Sequence, residues 1–259
     1  MIIRSSLCRK GYTRDMTPSP LDESIKELSN YIDRTLESES FNDVSGSEFM
    51  GLIGLYACTR QLRTMQTLVD AGMGDMIGSN LRMLYDTWVF SHLLMLSDFE
   101  DARKTWSNTR HEAEKLIRHI DTDRTVEYPA EAPEPAKGDG VEERAKQLSK
   151  KLQSVDPENA TMPTYCYNNI YRSESHMSDH ANLDSISRFV QPGENDDFRI
   201  GFTIHDDQTR GRITLAVTIT QYFARQVLLR RGELPADFVA IEDRLASIID
   251  GDKDKQHGK

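Results

Sequence analysis

Residues 81–96 read L-R-M-L-Y-D-T-W-V-F-S-H-L-L-M-L. Leu81, Leu84, Tyr85, Trp88, Val89, His92, Met95 and Leu96 recur by three and four, which gathers them into one broad sector of a 3.6-residue helix. A sector this wide needs neighbours on more than one side, so the stretch predicts the central helix of a multi-helix core. Arg82, Asp86 and His92 interrupt it, and it falls short of the ~18 uninterrupted apolar residues that a membrane span requires. A membrane is therefore not expected among its partners.

Working outward, the flanking segments repeat the same period. Leu21, Ile25, Leu28, Ile32 and Leu36 predict a first helix, entered through Thr17-Pro18-Ser19-Pro20, capped by Ser19 or Asp22 and running to about Phe41. Phe49, Leu52, Ile53, Tyr56, Leu62, Met65, Leu68 and Val69 predict a second, ending near Ala71-Gly72. A more polar helix is expected over 99–120. Between Asp121 and Gly140, Pro129, Pro133 and Pro135 forbid a regular helix, and the charge there favours an exposed loop over 121–140. Helix should resume from Val141 to about Val155, pass the Asp156-Pro157 and Met162-Pro163 breaks, and continue from Thr164 to about His180. The segment after Phe198 is β-branched and partly alternating. It reads either as a short β-hairpin near 198–215 or, preferably, as the approach to a helix from about Thr209 to Arg231. In that helix Ile213, Ala216, Val217, Thr220, Phe223, Val227 and Leu228 form one stripe. A last helix is expected over Ala236–Ile249.

The fold class this implies is all-α: a multi-helix bundle of seven to nine helices. Its organisation reads as a flexible basic arm over 1–18, a single helical domain over 19–250 and a disordered tail over 251–259. The chain has 259 residues, 37% of them hydrophobic and 29% charged, which suits a globular helical protein. Three widely spaced cysteines, Cys8, Cys58 and Cys166, offer neither a disulfide framework nor a cysteine zinc site, and point to a reducing, cytoplasmic setting. The net charge of −10 argues against general DNA or RNA coating, although Arg4, Arg9, Lys10 and Arg14 make the start locally basic and weakly similar to a transit peptide. P-loop, dinucleotide-binding and serine-hydrolase motifs are absent from the sequence.

The chemistry-bearing segment is N-N-I-Y-R-S-E-S-H-M-S-D-H, residues 168–180. On a helix Asn169, Arg172, His176, Asp179 and His180 share one stripe, while Tyr167, Ile170 and Tyr171 face the other way. Three readings follow. Arg172 could clamp an anion while His176 or His180 moves protons, a metal-independent ribonuclease-like chemistry. His176 and His180, spaced i and i+4 with Asp179 beside them or Asp86 across the bundle, have the spacing of a helical divalent-metal site. The same stripe is also what an ordinary solvated face looks like. Neither H-E-x-x-H nor paired E-x-x-H occurs, so zincin and ferritin-like di-iron sites are disfavoured, and no cofactor is demanded. Arg82 and Asp86 form a polar edge on the central helix and could meet the Arg172 stripe. Arg210 and Arg212 could help bind an anion, although a helix-end and packing role is the preferred reading for both, and His92 reads as a neutral core histidine.

L-R-M-L-Y-D-T-W (81–88) together with Y-R-S-E-S-H-M-S-D-H (171–180) resembles a bacterial family of helical proteins known only as a domain of unknown function. The resemblance covers about residues 20–230 and places Arg82, Asp86, Tyr171, Arg172, Ser175 and His180 at its matching positions. It implies a helical bundle and no established reaction. A more distant likeness is to the helical nucleases of prokaryotic toxin and defence systems, whose dimers use an arginine and a histidine four to six residues apart. Here three residues separate Arg172 from His176 and seven separate it from His180, which departs from that pattern. The expectation is a helical binding or regulatory module, with a conflict or defence system as one setting. Arg82, Asp86, Asn169, Tyr171 and Ser175 are its candidate ligand contacts, a small molecule, RNA or protein its candidate ligand, and a homo-oligomer a candidate assembly. The ribonuclease-like enzyme and the histidine metalloprotein stand as alternatives.

Overall fold

The computed structural model describes residues 19–38, 45–98, 101–102, 140–173, 190–192, 198–200, 206–232 and 234–257. Within them seven α-helices form an all-α bundle. Helix α1 (Pro20–Ser38) begins at Ser19, whose hydroxyl accepts from the Asp22 amide at 3.2 Å while the Ser19 amide donates to the Asp22 carboxylate at 3.1 Å. Proline at the first helical position costs nothing, because that N–H has no helical partner in any case. Helix α2 (Gly46–Asp70) starts with the reciprocal pair Ser45 and Glu48, and these hydrogen bonds hold the Glu48 carboxyl below its ordinary range. It ends at Gly72, whose φ of 74° needs no Cβ penalty, and the Met73 amide closes back onto the Leu68 carbonyl at 2.7 Å.

A short 3₁₀ turn, Gly74–Ile77, leads into α3 (Gly78–Met95), the predicted central helix. Leu81, Leu84, Tyr85, Trp88, Val89, His92 and Met95 are all buried, as are Ser91, Leu93 and Leu94. The second half of α3 is thus enclosed nearly all round, by α2, by α4 (Val141–Val155) and by α6 (Asp206–Arg230). Helix α4 contributes Ala145, Leu148 and Leu152 to the core, and α6 contributes its whole expected stripe from Ile213 to Leu228. Helix α1 lies between α2 and α7 (Ala236–His257), with Ile25 and Leu28 facing inward and Tyr31 packed 5.4 Å from Phe238. No described helix is long and apolar enough to cross a membrane.

Four expectations change. The hairpin lies earlier than 198–215, as β1 (Val190–Pro192) paired antiparallel with β2 (Phe198–Ile200), and the preferred helix is present as α6, which starts at Asp206 rather than Thr209. β-Branched residues there serve a helix whose inward stripe is completed only downstream. The last helix, expected to end at Ile249, runs as α7 to His257; Lys and Gln are good helix formers, and Gly251 is one unfavourable step in a helix already nucleated. On α2 the buried face is Leu52, Leu55, Cys58, Leu62 and Met65. Phe49, Ile53 and Tyr56 are 42%, 45% and 49% exposed and line an open groove of about 550 Å³ beside Leu36 of α1. The fourth change concerns the segment after Met162, where the α-helix gives way to a π turn.

Candidate functional site

Helix α5 (Met162–Cys166) enters with Pro163 near its start and widens into a π turn over Tyr167–Tyr171, in which the Arg172 amide donates to the Tyr167 carbonyl. A π turn inserts one residue into the helical period, and such insertions concentrate at functional sites. Local side chains support it. The Asn168 and Asn169 amides donate back to the Thr164 and Tyr165 carbonyls at 3.1 and 2.8 Å. Buried Cys166 and Ile170 anchor the turn on the core, and the Tyr85 hydroxyl, donating 2.9 Å to the Pro163 carbonyl, ties its entry to α3.

On one side of the turn the structure gathers three of the predicted contacts. Arg82 donates 2.8 Å to the Tyr171 hydroxyl, and its guanidinium carbon lies 4.4 Å from the centre of the Tyr171 ring. Tyr171 stacks on Tyr167 at 5.5 Å and tilts against Tyr85 at 6.0 Å. Asp86, one helical turn beyond Arg82, stands 3.6 Å from Arg144 of α4. Burial raises the Asp86 carboxyl above its ordinary range, although Arg144 and Arg82 oppose the shift. The balance implies that desolvation outweighs a long ion pair. Arg144 itself is largely covered and lies 5.5 Å from the centre of the Phe90 ring. Next to this cluster Glu142 pairs with Lys146 at 2.8 Å, and Lys146 and Tyr167 together hold its carboxyl low.

On the other side of the turn, Asn169 and Ser173 face the first turns of α6 across a cleft of about 290 Å³. Gln208 and Arg212 complete its polar lining. Its apolar lining is Leu81, Ile170 and Leu215, the first two almost wholly buried. Gly211 forms part of the wall, and a Cβ built there would meet nothing within 4 Å. The cleft therefore joins residues from 81 to 215 where α3, the π turn and α6 meet. Arg172 lies outside it and is exposed. His176, Asp179, His180 and Ser175 lie outside the described residues, and with them the catalytic-histidine and metal arrangements. Among the described residues no three His, Cys, Asp or Glu side chains come together as metal ligands.

Of the residues that line this cleft, sequence reasoning made Asn169 a candidate as part of the Arg172 stripe and Arg212 one as a secondary anion contact, and did not single out Ser173, Gln208 and Gly211. Nothing in the local pattern marks a Gln or Gly in the first turns of a helix that approaches from 35 or more positions away. It also missed Asp156, read as a mere break before Pro157. Its carboxylate accepts from the Tyr222 hydroxyl at 3.0 Å, the Gln226 amide at 2.8 Å and the Asn159 amide at 3.1 Å. Against the Tyr222 ring of this network, but with no hydrogen bond to it, lies His92, fully buried beside Trp88 and Phe223, with its pKa pushed down to about 3 by burial. It is a neutral core histidine. Cys58 and Cys166 are buried thiols whose pKa values burial raises, to about 12 for Cys166, so neither is a ready nucleophile. Comparison of the chain with protein-family models, with curated proteins and with solved structures found no match.

Proposed function

We propose that this chain is a helical ligand-binding module whose recognition site is the cleft between the π turn and α6. The observation that supports the reading is the make-up of that cleft. Four polar side chains from two separate elements, Asn169, Ser173, Gln208 and Arg212, converge over a floor formed by Leu81, Ile170 and Leu215. An apolar floor with a few polar groups is how small-molecule sites combine affinity with orientation. The titratable groups that burial displaces furthest, His92, Tyr85, Tyr222 and Cys58, sit in the core, where they serve packing. Recognition without turnover therefore fits the described residues better than acid–base chemistry.

The test uses Gly211→Leu. A leucine there grows from the cleft wall into open space, and in a helix it should add up to ~1 kcal/mol of stability over glycine. Ligand-observed NMR with a fragment panel of mixed charge is run on the full chain and on this variant. The expected result is a set of fragments that bind the parent and lose at least tenfold in affinity to Gly211→Leu, while its melting temperature holds or rises. Equal binding to both proteins, or no binding by any fragment, would refute the cleft as the site.

A further inference from the structure

We infer that the outer face of the α1–α2 pair is a two-fold interface on which a second copy of this chain docks. The face is built around the groove of about 550 Å³ between the two helices, and none of its lining residues lines the cleft. Ile53 and Tyr56 stand one turn apart on α2, 45% and 49% exposed, beside the buried Leu52 and the half-buried Leu36 of α1. Large apolar side chains left half in water on adjoining turns mark a contact surface, where a lone one would not.

Charge selects the occupant. Glu37 on the α1 wall and Arg60 on the α2 wall are both exposed, and neither side chain makes a hydrogen bond or ion pair with another described residue. Asp33, the other acid of the lining, is already neutralised by an ion pair with Arg63. The face therefore offers one anion and one cation to a partner, and with Arg63 counted it is locally neutral in a chain of net charge −10. A purely basic partner would leave Arg60 opposed, and a purely acidic one Glu37. A patch that carries both signs is complementary to itself, which is the condition for an isologous contact, and its neutrality lets two acidic chains approach there. The side of two helices of 19 and 25 residues, at ~1.5 Å per residue and ~10 Å across, amounts to roughly 600–700 Å² per copy. That is somewhat below the ~800 Å² per partner of a standard interface, so a dimer that forms at micromolar concentration is expected. In it Tyr56 of each copy fills the groove of the other, and Arg60, one turn on, meets the partner's Glu37.

Sedimentation velocity on the full chain, from about 1 to about 200 µM, should show a monomer–dimer equilibrium. Tyr56→Ala should weaken it at least tenfold. Arg60→Glu and Glu37→Arg should each do the same, because the two-fold repeats the contact and each reversal then opposes like charges twice. An equimolar mixture of these two variants should dimerise to within about threefold of the parent, since in the mixed dimer Glu37 of one chain meets Arg60 of the other and the reversed pair also attracts. Circular dichroism of each variant establishes that it is folded, and recovery in the mixture does so independently. A parent that stays monomeric over the whole range overturns the inference. So does a dimer that Tyr56→Ala and both charge reversals leave intact, because it forms through another face. A mixture no more associated than its two components also overturns it, by removing the pairing of Glu37 with Arg60 that selects a second copy.

Discussion

His92 is the residue whose environment has the clearest thermodynamic consequence. It is fully buried, and neither of its ring nitrogens nor the Trp88 indole N–H meets a hydrogen-bond partner among the described residues. Unfolded, the imidazole titrates near its ordinary 6.5; folded, burial lowers the pKa to about 3. Between those values the unfolded chain binds a proton that the folded chain refuses, so stability falls as pH falls, by up to ~1.4 kcal/mol per unit. Between pH 7 and pH 5 the loss from this one group should be about 2 kcal/mol. His92→Leu, close in volume and with nothing to protonate, should remove that loss and at pH 7 be neutral or stabilising. Urea unfolding of both proteins at the two pH values checks this, and an undiminished pH dependence in the variant would assign it to another group. The burial of His92 was legible, because it falls in the middle of an apolar sector. The network around it was not. Asp156 finds Tyr222 and Gln226 at separations of 66 and 70 residues, and Arg82 finds Tyr171 across 89. Pairings at such range leave no trace in local periodicity.

At the scale of elements, the contact of α2 with α3 shows where hydrophobic patterning falls short. Helix α2 carries apolar residues on two faces, and its period alone groups Phe49, Ile53 and Tyr56 with Leu52, Leu62 and Met65, although the fold buries the last three and leaves the first three exposed. The face that is buried includes Gly51 and Gly54, whose missing side chains admit the neighbouring helices. A Cβ on Gly54 would collide with the Ser91 side chain at its root and come within 3.2 Å of the Phe223 ring. On Gly51 it would meet chiefly the Met95 sulfur, at 2.6 Å, which is the mobile end of a flexible side chain. Gly54→Ala should therefore destabilise by about 1–3 kcal/mol of overpacking, only partly offset by ~1 kcal/mol of helix propensity. Gly51→Ala should change stability by less than ~1 kcal/mol, since Met95 can swing aside. Denaturant midpoints for the pair test the ordering, and equal effects would mean that Ser91 does not approach α2 as described. The same limit explains the π turn. The sequence reveals the Tyr167, Ile170 and Tyr171 face but not the extra residue that sets Asn169 and Ser173 toward α6.

For the whole molecule, one continuous core runs from Ile25 in α1 through Trp88 in α3 and Phe223 in α6 to Leu148 in α4 and Ile170 in the π turn. The α1–α7 pair is fastened to the rest at its own side, by Arg225 to Glu242 at 2.6 Å, while Arg244 and Glu27 link its two helices at 3.1 Å. The cleft lies at a different place, where α3, the π turn and α6 meet. A shared core couples these regions. Phe238→Ala in α7 and Leu148→Ala in α4 each remove a fully buried side chain, and each should cost about 2–5 kcal/mol. If the core acts as a unit, both should lower one and the same unfolding transition, followed alike by far-ultraviolet circular dichroism and by the near-ultraviolet signal of the aromatic cluster at Trp88. A cleft ligand at a hundred times its Kd should then raise that transition by about 2.7 kcal/mol in the parent and equally in Phe238→Ala, although Phe238 does not line the cleft. Two separated transitions, with the ligand moving only one of them, would instead divide the bundle into an α1–α7 unit and a cleft-bearing unit that fold apart.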